Sequence, residues 1–198
     1  KKVFLFINFI VFISCSKEKD YSRPSLSYLA LGDSYTIGES IEIEDSYPYQ
    51  LKEKIDLIDS LKIIAKTGWT TDELIDTLNN SNLKQYDIVS LLIGVNNQFR
   101  GYDIDNYKVE FENLLTKTIK YSNSKKNVFV LSIPDYGVTP FGESRGKEKI
   151  YDEINAYNDI NREISEKYNI MYFNITDISR LAENDLSLLA NDKLHPSE

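Results

Sequence analysis

The chain carries one histidine, His195, in Asp192-Lys193-Leu194-His195-Pro196. Far upstream lies the triplet Gly32-Asp33-Ser34. A single histidine gives any imidazole chemistry one address. A neutral imidazole beside a serine hydroxyl can take its proton and make the oxygen nucleophilic near neutral pH. A carboxylate three residues before the histidine can reach the other ring nitrogen, fixing the tautomer and stabilising the imidazolium that forms. Ser34, His195 and Asp192 are therefore candidates for nucleophile, general base and orienting carboxylate. Taken alone, Asp-x-x-His-Pro reads equally well as a surface histidine before a turn, so the rest of the chain has to decide.

Short apolar runs at Tyr28–Leu31, Lys62–Ala65, Ile88–Ile93, Val128–Ile133 and Ile170–Phe173 predict five strands. Ile-Val-Ser-Leu-Leu-Ile and Val-Phe-Val-Leu-Ser-Ile are almost continuously apolar, as strands covered on both faces must be. Helical spacing recurs over Asp105–Tyr121, through Tyr107, Phe111, Leu114, Leu115 and Ile119, and again over Lys147–Tyr168. Thr70-Thr71-Asp72-Glu73 has the form of a capping box and predicts a helix start. Strands alternating with helices imply an α/β fold, a three-layer α/β/α sandwich on a five-stranded parallel sheet. Gly32-Asp33-Ser34 follows the first strand, Gly68 the second, and Gly94-Val95-Asn96-Asn97 the third. In open parallel sheets ligands bind beyond the carboxyl ends of the strands, so these motifs converge on one rim.

A length of 198 residues fits one compact domain. A formal net charge of −8 argues against nucleic acid as a partner. Lys1-Lys2 precede the run Val3–Ile13, whose only polar member is Asn8, and this reads as a signal peptide over residues 1–14. Phe12-Ile13-Ser14-Cys15 resembles a bacterial lipobox, with Phe12 departing from the usual Leu, so Cys15 is the candidate lipidation site. Cleavage by another peptidase, or a free cysteine in an ordinary leader, stays open. Residues 15–25 then form a polar tether and 26–198 the folded domain. The expected location is the cell envelope, with the membrane contacted through a lipidated N-terminus.

Leu31-Gly32-Asp33-Ser34-Tyr35-Thr36, Gly68, Gly94-Val95-Asn96-Asn97 and Asp192-Lys193-Leu194-His195-Pro196 resemble, in order and spacing, the blocks of the SGNH/GDSL hydrolase superfamily. Thr36 stands where a Gly-x-Ser-x-Gly nucleophile elbow requires glycine, which excludes that rival motif. The resemblance implies a flavodoxin-like sandwich and a serine esterase acting through an acyl-enzyme on Ser34, with His195 as base and Asp192 as its orienter. It further implies an oxyanion hole made by the backbone N–H groups of Ser34 and Gly68 and the side-chain amide of Asn96. Neither cofactor nor metal is implied. Substrates of this class are short acyl esters, glycan O-acetyl groups or lysophospholipids. Asn97 departs from the family block, which carries Asp there. Trp69, Phe99, Tyr102, Tyr136 and Phe141 are candidates for lining the pocket. Folds of this kind continue into a further helix after the histidine loop, so a continuation beyond Glu198 is expected. The alternative is a non-catalytic surface lipoprotein that keeps the same fold as a binding module.

Overall fold

The structure is a computed structural model that describes residues 23 and 25–198. The signal peptide, Cys15 and nearly all of the tether lie outside the described residues. Five strands, β1 (Leu26–Gly32), β2 (Ile58–Ala65), β3 (Ile88–Leu92), β4 (Val128–Leu131) and β5 (Met171–Phe173), form one sheet in the order β2-β1-β3-β4-β5. Every pairing is parallel. The chain leaves β1 toward one side and returns as β3 on the other, so the topological switch point lies between these two strands. A crevice opens there beyond their carboxyl ends.

The helices are α1 (Ser34–Ile37), α2 (Tyr47–Lys54), α3 (Thr71–Asn79), α4 (Val95–Phe99), α5 (Ile104–Lys120), α6 (Pro140–Glu143), α7 (Lys147–Lys167) and α8 (Thr176–Ser179). The capping box expected from sequence starts α3: the Glu73 carboxylate accepts the Thr70 N–H at 2.9 Å. Asp103 caps α5 by accepting the Asn106 N–H at 2.9 Å. The stripe Tyr107, Phe111, Leu114 and Leu115 of α5 is buried, as are Ile150, Ile154 and Ile164 of α7. With Leu74 and Leu78 of α3 they pack on Leu29, Leu31, Leu91 and Val130 of the sheet to form the main core.

The opposite face carries a smaller cluster around Tyr28, Ala30 and Ile58, covered by Leu51 and Ile55 of α2 and its C-cap. Over β4 and β5 this face is an open apolar groove lined by Phe129, Leu131, Met171 and Phe173. The apolar runs place all five strands but begin β2 four residues late, because Ile58–Leu61 includes exposed Asp59 and Ser60. They give no sign of α2, in which Pro48 is the one buried residue, so no apolar period marks it.

Candidate active site

Gly32 ends β1 and turns the chain into α1. A Cβ at Gly32 would lie 2.1 Å from Thr36 Oγ1 and 2.3 Å from the Leu92 carbonyl oxygen. The close approach of α1 to the end of β3 therefore requires glycine there. Asp33 caps α1 by accepting the Tyr35 N–H at 3.1 Å, and Ser34 is its first residue. Asp33 is wholly buried and its Oδ2 makes no hydrogen bond among the described residues. Burial pushes its carboxyl up to about 7, against the opposing effect of the backbone N–H groups of Tyr35 and Asp33.

The histidine arrives on a loop closed on itself. Ala190 N–H donates to the His195 carbonyl at 2.8 Å, and Leu189 pairs with Pro196 in an antiparallel bridge. Lys193 takes a left-handed conformation, φ 59°, which folds the loop back over Asp192. Asp192 Oδ1 accepts the N–H groups of Leu194 and His195, each at 3.0 Å. Its Oδ2 accepts the His195 Nδ1–H at 2.6 Å and the Ser40 hydroxyl at 2.8 Å. Partial burial raises the Asp192 carboxyl, but the bonds from His195, Leu194 and Ser40 outweigh it and hold the group at about 2. An ionised carboxylate only accepts, so Nδ1 carries the ring proton and Nε2 is left as an acceptor. Nε2 lies 2.9 Å from Ser34 Oγ. Tyr35 packs its ring against the imidazole, with centroids 5.3 Å apart.

The structure thus brings Ser34, His195 and Asp192 into one hydrogen-bonded line, and it brings Gly68 and Asn96 to the same place. All but Asp192 line a cavity of about 140 Å³. Gly68 occupies the third position of a turn closed by the Trp69 N–H on the Lys66 carbonyl at 3.1 Å. Its φ of +84°, with no positive φ at Thr67, defines a type II turn, the form that needs glycine at that position. Asn96 is the second residue of α4, the turn after β3, and its Nδ2 donates to the Trp69 carbonyl at 2.9 Å, leaving the second amide proton available. Among the described residues the backbone N–H groups of Ser34 and Gly68 have no protein acceptor. Phe99, Tyr136 and Phe141 line this cavity as expected, whereas Trp69 packs on the core and Tyr102 lies outside the cavity. A second cavity of about 220 Å³ opens on the other side of Ser34 and His195, toward Tyr47 and Gln50. Among the described residues no group of three or more His, Cys, Asp or Glu side chains could hold a metal ion.

Three supporting contacts carry no signal in the sequence. Arg100 donates to the Gly68 carbonyl at 2.6 Å. Ser40 braces Asp192, and Thr71 is joined to Asn97 by two hydrogen bonds. No periodicity or local spacing marks any of them, because each partner is remote in sequence.

A serine-imidazole-carboxylate line at the switch point of a parallel sheet, beside unpaired N–H donors, defines a serine hydrolase type of site. The sequence matches the GDSL-like lipase/acylhydrolase family over residues 30–198. The chain belongs to that family, a family of serine ester hydrolases of the SGNH/GDSL superfamily. Curated protein sequences give no significant match. Among solved structures, a member of the lipolytic G-D-S-L family from Veillonella parvula superposes with a TM-score of 0.70 at 12% identity, covering 87% of this chain and 90% of that one. An acetylxylan esterase from Geobacillus stearothermophilus gives 0.65 at 18% identity, over 89% and 90%. A phospholipase A1 from Streptomyces albidoflavus gives 0.65 at 19%, over 87% and 92%. At these identities the likeness is one of fold.

Proposed function

We propose that the protein hydrolyses carboxylic esters of small acyl groups through an acyl-enzyme on Ser34. The observation that carries the reading is the line Asp192–His195–Ser34, with bonds of 2.6 and 2.9 Å, facing a cavity that also holds Gly68 and Asn96. His195 Nε2 takes the Ser34 proton as Oγ attacks the ester carbon. The carbonyl oxygen, now carrying the charge, is met by the N–H groups of Ser34 and Gly68 and by the free amide proton of Asn96. Preorganised donors of this kind stabilise the intermediate without rearranging during the reaction. The imidazolium then gives its proton to the departing alkoxide. A water molecule, deprotonated by the same nitrogen, releases the acid and restores Ser34. Asp192 keeps Nδ1 protonated throughout, so Nε2 is always the working nitrogen.

Cavities of about 140 and 220 Å³ fall below the range of about 300–1,000 Å³ that holds drug-sized ligands, which favours short acyl groups, O-acetyl groups on glycans among them. A second reading, a lysophospholipid, draws on the larger cavity sharing Tyr47, Gln50 and Leu131 with the apolar groove over β4 and β5, a path for a longer chain. The two structural relatives named for acetylxylan and phospholipid chemistry bracket the same pair of readings. We also propose that the protein is exported and anchored at the cell envelope through Cys15, a reading drawn from the sequence around that residue.

Intact-mass spectrometry after treatment with an organophosphonate tests the mechanism: one adduct on the wild type and none on Ser34→Ala is expected. Labelling that survives in Ser34→Ala refutes the acyl-enzyme on Ser34, and a wild type that takes no label favours the binding-module alternative. Rates on p-nitrophenyl acetate, butyrate and longer esters then separate the two substrate readings. Detergent partitioning of Cys15→Ala checks the anchor.

A further inference from the structure

The turn that carries Gly68 and the turn that carries Asn96 are joined by a second connection, one step further along the chain from Asn96. Asn97 and Thr71 are both completely buried. Asn97 Oδ1 accepts the Thr71 N–H at 3.1 Å, and Asn97 Nδ2 donates to Thr71 Oγ1 at 2.7 Å. The Thr71 hydroxyl donates to Glu110 Oε2 on α5, and Glu110 Oε1 accepts Asn106 Nδ2 at 2.9 Å. The polarity of this chain is forced. A backbone N–H can only donate, so Asn97 presents its oxygen to Thr71 N and its NH₂ to Thr71 Oγ1. The hydroxyl has one proton, and with its oxygen already accepting, that proton goes to Glu110.

The family block carries an aspartate where Asn97 stands. An aspartate would accept from both the N–H and the hydroxyl of Thr71. That consumes the one hydroxyl proton, leaving Glu110 Oε2 against the Thr71 oxygen with no proton between them. Two carboxylates, one of them on the buried position 97 and the other partly exposed on α5, would then compete for one hydroxyl, an arrangement that like charges and desolvation of the residue-97 carboxylate both oppose. Asn97 and Glu110 are a matched pair: the negative charge stands on α5, and the turn itself is neutral.

We propose that Asn97, acting through Thr71 and Glu110, is a positioning residue that sets the spacing between Gly68 and Asn96. The inference rests on reading those two residues as oxyanion donors. Neither Asn97, Thr71 nor Glu110 lines the cavities beside Ser34. Disturbing the clamp should therefore weaken the transition state more than ground-state binding, lowering kcat and leaving KM near its original value.

Steady-state rates on p-nitrophenyl acetate, with thermal melting of each protein, test this. Asn97→Asp is expected to lower kcat roughly tenfold with KM changed by less than about twofold. Glu110→Gln alone should cost less, since an amide oxygen can still accept the Thr71 hydroxyl. In the Asn97→Asp/Glu110→Gln double variant the polarity reverses. The new amide on α5 donates to Thr71 Oγ1, and the Thr71 hydroxyl donates to the new carboxylate in the turn. Its kcat should return to within about threefold of wild type, a recovery that independent effects cannot produce. Thr71→Val adds no charge and keeps the side-chain shape, so it stands in if Asn97→Asp does not fold. It should also lose about tenfold in kcat, with Thr71→Ser retaining most of the rate. A double variant no faster than Asn97→Asp, or wild-type kcat in both Asn97→Asp and Thr71→Val, overturns the clamp. Asn96→Ala is run alongside. If it keeps wild-type kcat the oxyanion reading itself fails, whereas a slow Asn96→Ala beside an unaffected Asn97→Asp and Thr71→Val refutes only the clamp.

Discussion

Replacing Gly68 with alanine separates two free energies that act on one N–H group. An added Cβ meets only Arg100 Nη2, at 3.5 Å, an ordinary contact, so space is not the obstacle. Conformation is. At φ +84° an L-residue pays about 1–2 kcal/mol relative to the right-handed region. The strain can be relieved by turning the peptide between residues 67 and 68 over, which converts the type II turn to type I. The ends of the turn, closed by Trp69 N–H on the Lys66 carbonyl, need not move. The flip points the residue-68 N–H away from the site. Losing an oxyanion donor outright costs about 10²–10³ in kcat. A flipped turn, however, can flip back for the reaction, at a cost no greater than the strain it escaped. The smaller free energy sets the loss, so kcat should fall by only about 5- to 30-fold, the factor that 1–2 kcal/mol represents. KM should be unchanged. Melting should be level or slightly raised, because alanine restricts the unfolded chain by about 0.4–1 kcal/mol relative to glycine and the flip relieves the native strain. Initial rates on p-nitrophenyl acetate and melting followed by circular dichroism measure both. A kcat within twofold of wild type would falsify the role of the Gly68 N–H. A loss beyond a thousandfold would show that more than one donor had been disturbed.

Asp192→Asn should lower kcat/KM by up to about 10⁴-fold through loss of tautomer control, and by less to the extent that the 29% exposed Asp192 side chain lets water take over; ester kinetics decide, and no loss refutes the orienting role. Asp33 has a folded carboxyl raised to about 7 from 3.8, so its contribution to stability is fully present below about pH 4 and is lost as pH rises through 7. The difference between wild-type and Asp33→Asn unfolding free energies should therefore change by up to about 4 kcal/mol between pH 4 and pH 8, and a flat difference curve rejects the raised carboxyl. Arg180→Met leaves Asp135, 1% exposed, with the Gly137 N–H as its remaining donor; urea unfolding should show a loss of about 3 kcal/mol, at the low end for a broken buried pair because Arg180 is 20% exposed.

How far the sequence can be read depends on where each residue finds its partner. β3 is legible because burial on both faces makes it continuously apolar, β4 because its apolar run lines the core on one face and the open groove on the other, and α5 and α7 because one stripe meets the sheet. α2 is not, since it lies on the thinly covered face and buries too little to leave a period. At the site, Ser34, Gly68 and Asn96 can be placed because each follows a strand end, and Asp192 because it stands three residues from the histidine it binds. Arg100 cannot: its acceptor is a backbone carbonyl 32 residues earlier, and any exposed arginine reads the same from sequence. Asn97 can be seen as a departure but not explained, because its compensating charge lies on Glu110, 39 residues from Thr71, the residue between them. The groups that face the cavity fall in short local patterns because a strand end, or a neighbour three residues away, places each of them. The groups that hold them in place answer to hydrogen-bond polarity in three dimensions, so their partners lie on whichever element reaches them, as Glu110 of α5 reaches Thr71.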